Sequence, residues 1–323
     1  MTFTIDGQFV WDFWTAYDEA RGVHHLFHLH APTSLGDPEL RHRNARIGHA
    51  VSADLRAWSR LPDPLPDPLP HRSPPPAGFD DLASWTGCVV RGQGSWWMFI
   101  TGLARSDDGR VQRIGAATSA DLTSWTRGEL LLEADPAYYQ LSSESWVEEA
   151  WRDPWVVRDE HGQWHMYVTA RDASGAPGCG VVGHAVSDDL VDWEVQPALS
   201  SPTGLFEWLE VISVVRVEGR WVLLFSCLST EMPMASAGAG GIWSVPVEGP
   251  GSPVDVSAAV RITDESLYVG KVVEHLGSAY FMAFRNRGPD AAFVGGITDP
   301  VPVTWRPDGR GLMLTSGSAE PVV

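Results

Sequence analysis

The sequence has little cysteine, few basic residues and no long apolar stretch, and each shortage excludes a class of protein. Its only cysteines, Cys88, Cys179 and Cys227, lie far apart and form no C-x-x-C pair. We therefore expect reduced thiols in the core, without a disulfide framework or a metal cluster. Lysine and arginine number 23 against 41 acidic residues, which gives a formal net charge of -18. Such a chain lacks the clustered positive charge that binding to nucleic acid or to an anionic membrane requires.

The sequence pattern indicates neither a membrane span nor a secretion signal. No apolar run approaches the roughly 20 residues of a membrane span, and no basic stretch precedes an apolar core at the start. We expect a cytoplasmic protein that acts on a neutral small molecule or oligosaccharide, with its oligomeric state open. What the chain does have is 44% hydrophobic content and 16 tryptophans over 323 residues, enough to fill a large core.

Two short sequence units alternate along the chain, and each occurs five times. One is a small-residue strand with a turn: "IGHAVSADLRAW" from 47, "IGAATSADLTSW" from 114, "VGHAVSDDLVDW" from 182, and weaker copies from 240 and 294. The other is a glycine turn before an aromatic strand, at Gly22, Gly94, Gly162, Gly219 and Gly277. An apolar run precedes each aromatic strand, and a further stretch follows each small-residue turn. Together with the two repeated strands, these segments give every unit four strands. The pattern predicts an all-β fold, a five-bladed β-propeller with four-stranded antiparallel blades around a central channel.

We expect this propeller to form one domain over residues 1–323. The proline-rich stretch at about 61–78 is predicted to connect blades one and two, since proline is excluded from central strands. Residues that recur at one place in several units are predicted to be structural. They are His49 and His184, and the turn residues Ser52 with Asp54, Ser119 with Asp121 and Ser187 with Asp189.

The first strand of each blade lines the channel of a propeller, so its leading residues converge at one mouth. Counting nine residues back from four of the turn glycines, and ten back from the first, gives Asp12, Trp85, Asp153, Glu210 and Tyr268. Three carboxylates at one mouth repel one another, which raises the pKa of at least one and lowers stability. This set therefore indicates a functional site.

Other acidic residues fall outside this phase. Glu207 lies twelve residues before its turn glycine, and we place it in the approach loop to the strand. Glu144, Glu148 and Glu149 are predicted to form a solvated acidic loop, with a rim role left open for Glu149.

Tryptophan is frequent near the predicted mouth, where it occurs as Trp11, Trp14, Trp85, Trp151, Trp155 and Trp208. Its flat apolar face can stack against a sugar ring. Two carboxyl groups flanking a bond, one protonated and one ionised, are the apparatus of glycoside hydrolysis. Together the two features predict a carbohydrate pocket.

These residues resemble the motifs of the five-bladed β-propeller glycosidases: glycoside hydrolase families 32 and 68, which act on fructosides, and the related family 43. "VWDFW" is similar to the nucleophile motif of levansucrase-like members, "WRDPWVV" to the R-D-P motif, and "SWTG" to the W-S-G element of the second blade. "LEVISVV" stands where these families have a glutamate followed by Cys-Pro or Arg-Pro, and here Val-Ile replaces those residues. The last blade is predicted to reach almost to residue 323, so we expect no C-terminal β-sandwich of the family 32 kind within these residues.

The resemblance implies that Asp12 is the nucleophile, Asp153 stabilises the oxocarbenium-like transition state and Glu210 is the general acid/base. It implies that Arg152 hydrogen-bonds furanose hydroxyls. Arg152 and Asp153 are neighbours, so both reach a ligand only if the strand start is irregular, which Pro154 permits. The other predicted substrate-binding residues are Trp11, Trp14, Trp85, Thr86, Trp151 and Tyr268.

The implied function is hydrolysis of a furanosidic bond, most simply a β-fructofuranoside, with retention. Retention requires carboxyl groups about 5 to 5.5 Å apart, against roughly 6.5 to 9.5 Å for inversion. The open alternatives are a family 43 arabinofuranosidase or xylosidase, a fructosyltransferase, and a sugar-binding propeller without catalysis. No metal motif is visible and this chemistry needs no cofactor, although carboxylates and carbonyls in the channel could hold a structural Ca²⁺.

Overall fold

The computed structural model describes residues 2–65, 78–144, 146–235 and 238–315, and these form five four-stranded antiparallel sheets. The first sheet consists of β1 (Gln8–Asp18), β2 (Val23–Pro32), β3 (Arg46–Ser52) and β4 (Ser59–Leu61). The second consists of β5 (Ala83–Gly92), β6 (Ser95–Leu103), β7 (Gln112–Ser119) and β8 (Trp125–Leu132). The third consists of β9 (Trp151–Arg158), β10 (Trp164–Arg171), β11 (Gly180–Ser187) and β12 (Glu194–Gln196).

The fourth sheet consists of β13 (Glu210–Val217), β14 (Arg220–Cys227), β15 (Gly241–Val247) and β16 (Val260–Asp264). The fifth consists of β17 (Leu267–His275), β18 (Ser278–Arg285), β19 (Val301–Trp305) and β20 (Leu312–Leu314). Short 3₁₀ helices lie at Thr33–Leu35, Pro38–Asn44, Arg105–Asp107, Ser229–Glu231 and Val256–Ala258. The predicted five-bladed propeller is confirmed. Most of the predicted proline-rich connection lies outside the described residues.

The hairpins between the first and second strands explain the repeated glycine. In three blades a two-residue loop joins these strands, and both loop residues have positive φ: Gln93-Gly94, Glu218-Gly219 and Leu276-Gly277. Positive φ at both loop positions defines a type I′ turn, whose twist matches that of the flanking strands and which favours glycine. The glycine turn therefore marks the hairpin that begins each blade.

Aromatic contacts between neighbouring blades repeat in the same way. The Trp125 ring of blade two meets Phe27 of blade one edge-on at 5.7 Å, and Trp193 of blade three meets Phe99 of blade two at 5.5 Å. The core thus lies between the blades, in successive layers of buried apolar side chains. Phe3 forms a bridge with Ile297, which joins the start of the chain to blade five. Cys88, Cys179 and Cys227 are free and buried, as predicted.

The turn residues and histidines that recur in the sequence have structural contacts. Each turn serine donates a hydrogen bond to the aspartate two residues later, and that aspartate accepts backbone N–H groups of the turn: Ser52 with Asp54, Ser119 with Asp121, and Ser187 with Asp189. His49 and His184 pair with His25 and His165, with nitrogen atoms 2.8 and 3.0 Å apart. Their predicted structural role is confirmed.

Each innermost strand has a bulge near its start, where one extra residue interrupts the pairing. In three blades the first bulged residue has a positive φ: Asp153 at 59°, Val211 at 52° and Val269 at 53°. This conformation is costly for residues other than glycine. It is held because the three N–H groups donate to hydroxyls of the preceding blade, on Thr101, Thr169 and Ser226, at 2.8, 3.2 and 3.0 Å.

The bulges correct one step of the sequence analysis. Counting back nine residues makes Asp153 and Glu210 equivalent, but Glu210 pairs with Ser226 as Arg152 pairs with Thr169, so the count is wrong by one residue. This error arises in the hairpin of blade three. There the longer loop 159–163 stands where blade four has the two-residue loop 218–219. The residue just before a bulge and the first residue within it both face the mouth. The irregular strand start expected at Arg152 and Asp153 is therefore confirmed.

Candidate active site

A cavity of about 590 Å³ opens where the five bulged strand starts meet. This volume lies in the range of small-molecule sites. Eight of the residues predicted from the sequence line it: Trp11, Asp12, Trp85, Thr86, Arg152, Asp153, Glu210 and Tyr268. The channel mouth therefore brings the three predicted carboxylates to one cavity.

Two predicted substrate-binding tryptophans do not line this cavity, and the structure corrects their placement. Trp14 is 1% exposed and stacks on Phe27 at 6.1 Å, because the bulge at Asp12 turns it toward the packing between blades. Trp151 is fully buried against Tyr139, with ring centres 4.8 Å apart. Both belong to the hydrophobic core.

Asp12 is the unpaired residue of the β1 bulge. The hydroxyl of Thr86 donates a hydrogen bond to Asp12 Oδ2. Burial raises the pKa of Asp12 to about 6 and the charge of Glu210 adds to this, while the Thr86 hydrogen bond and the charges of Arg41 and Lys271 lower it. The carboxyl is therefore mostly ionised at pH 7.

Asp153 lies deeper in the cavity and is 5% exposed. Its Oδ2 accepts a hydrogen bond from Thr169 Oγ1 at 3.1 Å and lies 3.5 Å from Arg152 Nε. Burial raises the pKa of Asp153 to about 7, with the charges of Glu210 and Asp12 adding to it and Arg152 opposing it. The predicted crowding of like charges is confirmed in its direction for Asp12 and Asp153.

Glu210 has one donor on each carboxyl oxygen. Arg152 Nη2 donates to Oε1, and the Tyr268 hydroxyl donates to Oε2 at 2.6 Å. Burial and the charges of Glu210 and Glu231 raise the pKa of Tyr268 well above 10.0, so this hydroxyl stays a donor. Glu210 thus has a fixed orientation toward the cavity.

Arg152 is held on all sides. Besides its two carboxylate partners, its Nη1 donates to Gln112 Oε1 at 3.3 Å, and its guanidinium lies 5.0 Å from the centre of the Trp208 ring. Gln112 is fully buried, and its Oε1 also accepts a hydrogen bond from the backbone N–H of Trp151. Such a buried arginine offers directed donors to a bound hydroxyl or carboxylate.

Glu207, the out-of-phase glutamate, has a different partner. Its carboxylate accepts from Nη1 of Arg171, which is 1% exposed and also donates to Gln140 Oε1 at 2.7 Å. The Arg171 guanidinium packs on the Trp146 ring at 3.8 Å. Glu207 therefore fixes the loops around the cavity without lining it, as the phase of the strands predicted.

Sequence reasoning missed several lining residues. Glu231 faces the cavity from the 3₁₀ helix after β14, where no repeated unit gives a signal. Burial, with the charge of Glu210 adding to it, raises the pKa of Glu231 to about 8. Arg41, Asn286 and Glu148 also line the cavity.

The predicted solvated acidic loop needs a correction. Glu148 lies at the cavity and accepts a hydrogen bond from Gln112 Nε2 at 2.9 Å. Glu149 is only 3% exposed, and burial raises its pKa to about 7. Of the three glutamates, only Glu144 is both exposed and without a contact of this kind to the described residues.

The described residues contain no group of three or more His, Cys, Asp or Glu side chains that could hold a metal ion. No helix in the described ranges is long and apolar enough to cross a membrane.

The sequence matches the model of the glycosyl hydrolases family 32 N-terminal domain over residues 16–238, which is more than half of the chain. The match begins just after "VWDFW", so Asp12 lies outside it. No curated protein matches the chain.

Solved structures similar to this one include fructosyl enzymes of two kinds. An inulosucrase from Halalkalicoccus jeotgali bound to kestose has a TM-score of 0.76 and 20% identity, over 100% of this chain and 92% of its own. Bacillus subtilis levansucrase has a TM-score of 0.71 and 14% identity, over 96% of this chain and 86% of its own. Fructan 1-exohydrolase IIa from Cichorium intybus has a TM-score of 0.70 and 16% identity, over 98% of this chain but only 60% of its own. At such identities the likeness concerns the fold.

Proposed function

Because the chain belongs to glycosyl hydrolase family 32, we propose that it cleaves β-fructofuranosidic bonds by hydrolysis, with retention at the anomeric carbon. One observation carries the proposal: Asp12, Asp153 and Glu210 line a single cavity together with Arg152. Two carboxyl groups on either side of a glycosidic bond can divide nucleophilic and acid/base roles between them.

Asp12 suits the nucleophile. It must be ionised to attack the anomeric carbon, and its pKa of about 6 leaves it ionised at neutral pH. The Thr86 hydrogen bond to Oδ2 leaves the other oxygen, Oδ1, for the attack. The bond from the anomeric carbon to the leaving oxygen breaks as the bond to Asp12 forms, which gives a covalent fructosyl-enzyme.

Glu210 suits the general acid/base. In the first step it donates a proton to the leaving oxygen, and in the second it takes a proton from the water that releases the sugar from Asp12. Arg152 and Tyr268, which donate to its two oxygens, hold the carboxyl group of Glu210 toward the cavity.

Asp153 and Arg152 suit the binding of the fructosyl ring. A buried carboxylate accepts hydrogen bonds from sugar hydroxyls and stabilises the positive charge that develops on the ring. Arg152, oriented by Gln112 and Trp208, would donate to the same hydroxyls. The face of Trp85 supplies apolar contact area. No step of this scheme needs a cofactor.

A panel of sucrose, fructosyl oligosaccharides, aryl fructofuranosides and aryl arabinofuranosides tests the proposal. We expect turnover of fructosides, with β-fructofuranose as the first product seen by NMR. Turnover of arabinosides alone, or an inverted product, would contradict it. Glu210→Gln should abolish hydrolysis of sucrose; a wild-type protein that binds fructosides without turnover would identify a sugar-binding propeller.

Transfer to an acceptor sugar is the second candidate, because the similar structures include an inulosucrase and levansucrases as well as hydrolases. Both reactions share the fructosyl-enzyme and differ in what releases it. The ratio of free fructose to free glucose from sucrose separates them. A ratio near one indicates hydrolysis, and a ratio that falls as acceptor sugar is added indicates transfer.

A further inference from the structure

Glu148 is a carboxylate of the cavity lining that the proposed reaction does not use. It belongs to the loop between β8 and β9 and precedes Arg152 by four residues. Its side chain is exposed to solvent, unlike that of its neighbour Glu149. An exposed glutamate on a loop is ordinarily free to change its rotamer, so its hydrogen bonds decide whether it has a fixed place at the cavity.

The amide of Gln112 fixes the carboxylate of Glu148. Gln112 is the first residue of β7, and its Nε2 donates a hydrogen bond to Glu148 Oε1 at 2.9 Å. Its Oε1 accepts the backbone N–H of Trp151 at 3.1 Å and Nη1 of Arg152 at 3.3 Å. Because Oε1 meets two donors, only the NH₂ group can face the carboxylate, and the orientation of the amide is determined. A single amide group therefore joins Glu148 to the arginine of the reaction centre.

The backbone around Glu148 is also held on both sides. The N–H of Glu149 donates to the carbonyl oxygen of Arg110 at 3.0 Å. Two residues before Glu148, the Trp146 ring packs on the Trp208 ring, with centres 5.3 Å apart. Among the residues that the structure describes, the second carboxylate oxygen, Glu148 Oε2, has no hydrogen-bond donor. Glu148 thus presents one anchored oxygen and one available oxygen at the cavity.

The depth of the cavity determines which part of a substrate meets Glu148. Asp12 must contact the anomeric carbon, so the fructosyl ring occupies the part of the cavity that Asp12 and Asp153 line. Asp153 is 5% exposed, whereas Glu148 is open to solvent. The leaving group is attached to the anomeric carbon and departs toward solvent. It therefore lies on the side of the exposed rim, where Glu148 is anchored.

We propose that Glu148 is a specificity-determining residue that binds the leaving group: Oε2 accepts a hydrogen bond from a hydroxyl of the released sugar, while Oε1 stays bonded to Gln112. This inference rests on the proposed function and deepens it, because it makes the preferred substrate a fructoside whose leaving group is itself a sugar. A hydrogen bond to a carboxylate is stronger than one between neutral groups. The anchored side chain also loses little conformational freedom when the sugar binds.

The test compares two fructosides that differ in what they release. Sucrose releases a sugar, and an aryl fructofuranoside releases a phenol without sugar hydroxyls. In Glu148→Ala we expect kcat/KM for sucrose to fall about tenfold, since a hydrogen bond to a charged group contributes a factor of about that size. The loss should appear in KM, because the contact is the same in the bound substrate and in the transition state. For the aryl fructofuranoside, kcat/KM should stay within about twofold of wild type.

Glu144→Ala is the matched control, because Glu144 is an exposed carboxylate of the same loop and does not line the cavity. It should leave kcat/KM unchanged for both substrates. Glu148→Gln covers the case in which Glu148→Ala does not fold, since its amide oxygen still accepts the hydrogen bond from Gln112. We expect it to lower kcat/KM for sucrose alone, by less than Glu148→Ala does. An equal loss on both substrates, or no loss on sucrose, would overturn the proposal.

Calorimetric binding to Glu210→Gln tests the same contact without turnover. Adding Glu148→Ala to this variant should raise the Kd for sucrose about tenfold and leave the Kd for free fructose unchanged. The same Kd for sucrose in both proteins, or an equal rise for fructose, would contradict the role of Glu148. A wild-type protein that cleaves no furanoside would refute the proposed function, and the calorimetric comparison would then decide the role of Glu148 by itself.

Discussion

The outer turns of the blades have the same residues in several blades, whereas the inner strand starts of the same blades have different residues. In three blades the outer turn has the same serine and aspartate with the same contacts, at Asp54, Asp121 and Asp189. Hydrogen bonds from backbone N–H groups lower the pKa of all three carboxyls. At the inner starts, each blade presents different side chains, and burial raises the pKa of Asp12 and Asp153.

The opposite shifts have opposite consequences for stability. A carboxyl whose pKa falls on folding stabilises the protein above its unfolded pKa, and that contribution is lost as the pH falls. A carboxyl whose pKa rises on folding costs stability once the unfolded chain ionises, so for Asp12 and Asp153 the cost develops from a pH of 3.8 up to about 6 and about 7, respectively, and is constant above those values. Repetition therefore marks residues kept for folding, and departures from it mark residues kept for chemistry.

Asp153→Asn should show the largest effect. We expect kcat/KM on a fructoside to fall by about 10³-fold, because the amide does not stabilise the positive charge of the transition state. At pH 8 the melting temperature should rise, since a buried charge has been removed. Steady-state kinetics measures the fall in kcat/KM, and thermal unfolding at pH 8 measures the rise in melting temperature. A stability loss together with full activity would place Asp153 among the structural residues.

Glu207→Gln sharpens the contrast between the two neighbouring glutamates. It weakens the charged contact with buried Arg171, so we expect the free energy of unfolding to fall by about 2 kcal/mol. The value of kcat should stay within about threefold of wild type, because Glu207 does not line the cavity. Glu210→Gln is the matched comparison: it also weakens a contact with a buried arginine, Arg152, but in addition it should abolish turnover of sucrose. Loss of kcat in Glu207→Gln as large as in Glu210→Gln would reassign the acid.

Asp121→Ala should show the smallest effect. It removes the acceptor for the N–H groups of Thr123 and Ser124, and we expect about 1 kcal/mol of destabilisation at pH 7 with activity unchanged. Chemical denaturation measures the first and kcat/KM the second. The destabilisation should shrink as the pH falls and the wild-type carboxyl is protonated. A strong loss of activity would contradict the structural role of the repeated turns.

The sequence was sufficient for the five blades because the glycine hairpins and small-residue turns are local signals that repeat. It was also sufficient to predict that Asp12, Asp153 and Glu210 lie at one channel mouth. The count that aligned Asp153 with Glu210 was nevertheless wrong by one residue. That count could not detect the longer hairpin of blade three, since loop length and bulge position leave no simple pattern.

Two further parts of the site depend on packing that a single sequence does not show. Trp11 and Trp14 are both almost fully buried, yet Trp11 also lines the cavity and Trp14 does not, a difference that the frequency of tryptophan does not indicate. Glu231 enters the site from a 3₁₀ helix whose residues have no repeated counterpart in the sequence. Its place at the cavity depends on how the loop after β14 packs.

The covalent intermediate tests the central claim most directly. Glu210→Gln should be mixed with an aryl β-fructofuranoside, whose leaving group needs no acid, and digested for peptide mass spectrometry. We predict a fructosyl adduct on the peptide that contains Asp12, formed with a burst of the aryl product and absent in Asp12→Asn. Release of the aryl product without any adduct, or an adduct on Asp153, would contradict the assignment of Asp12 as the nucleophile.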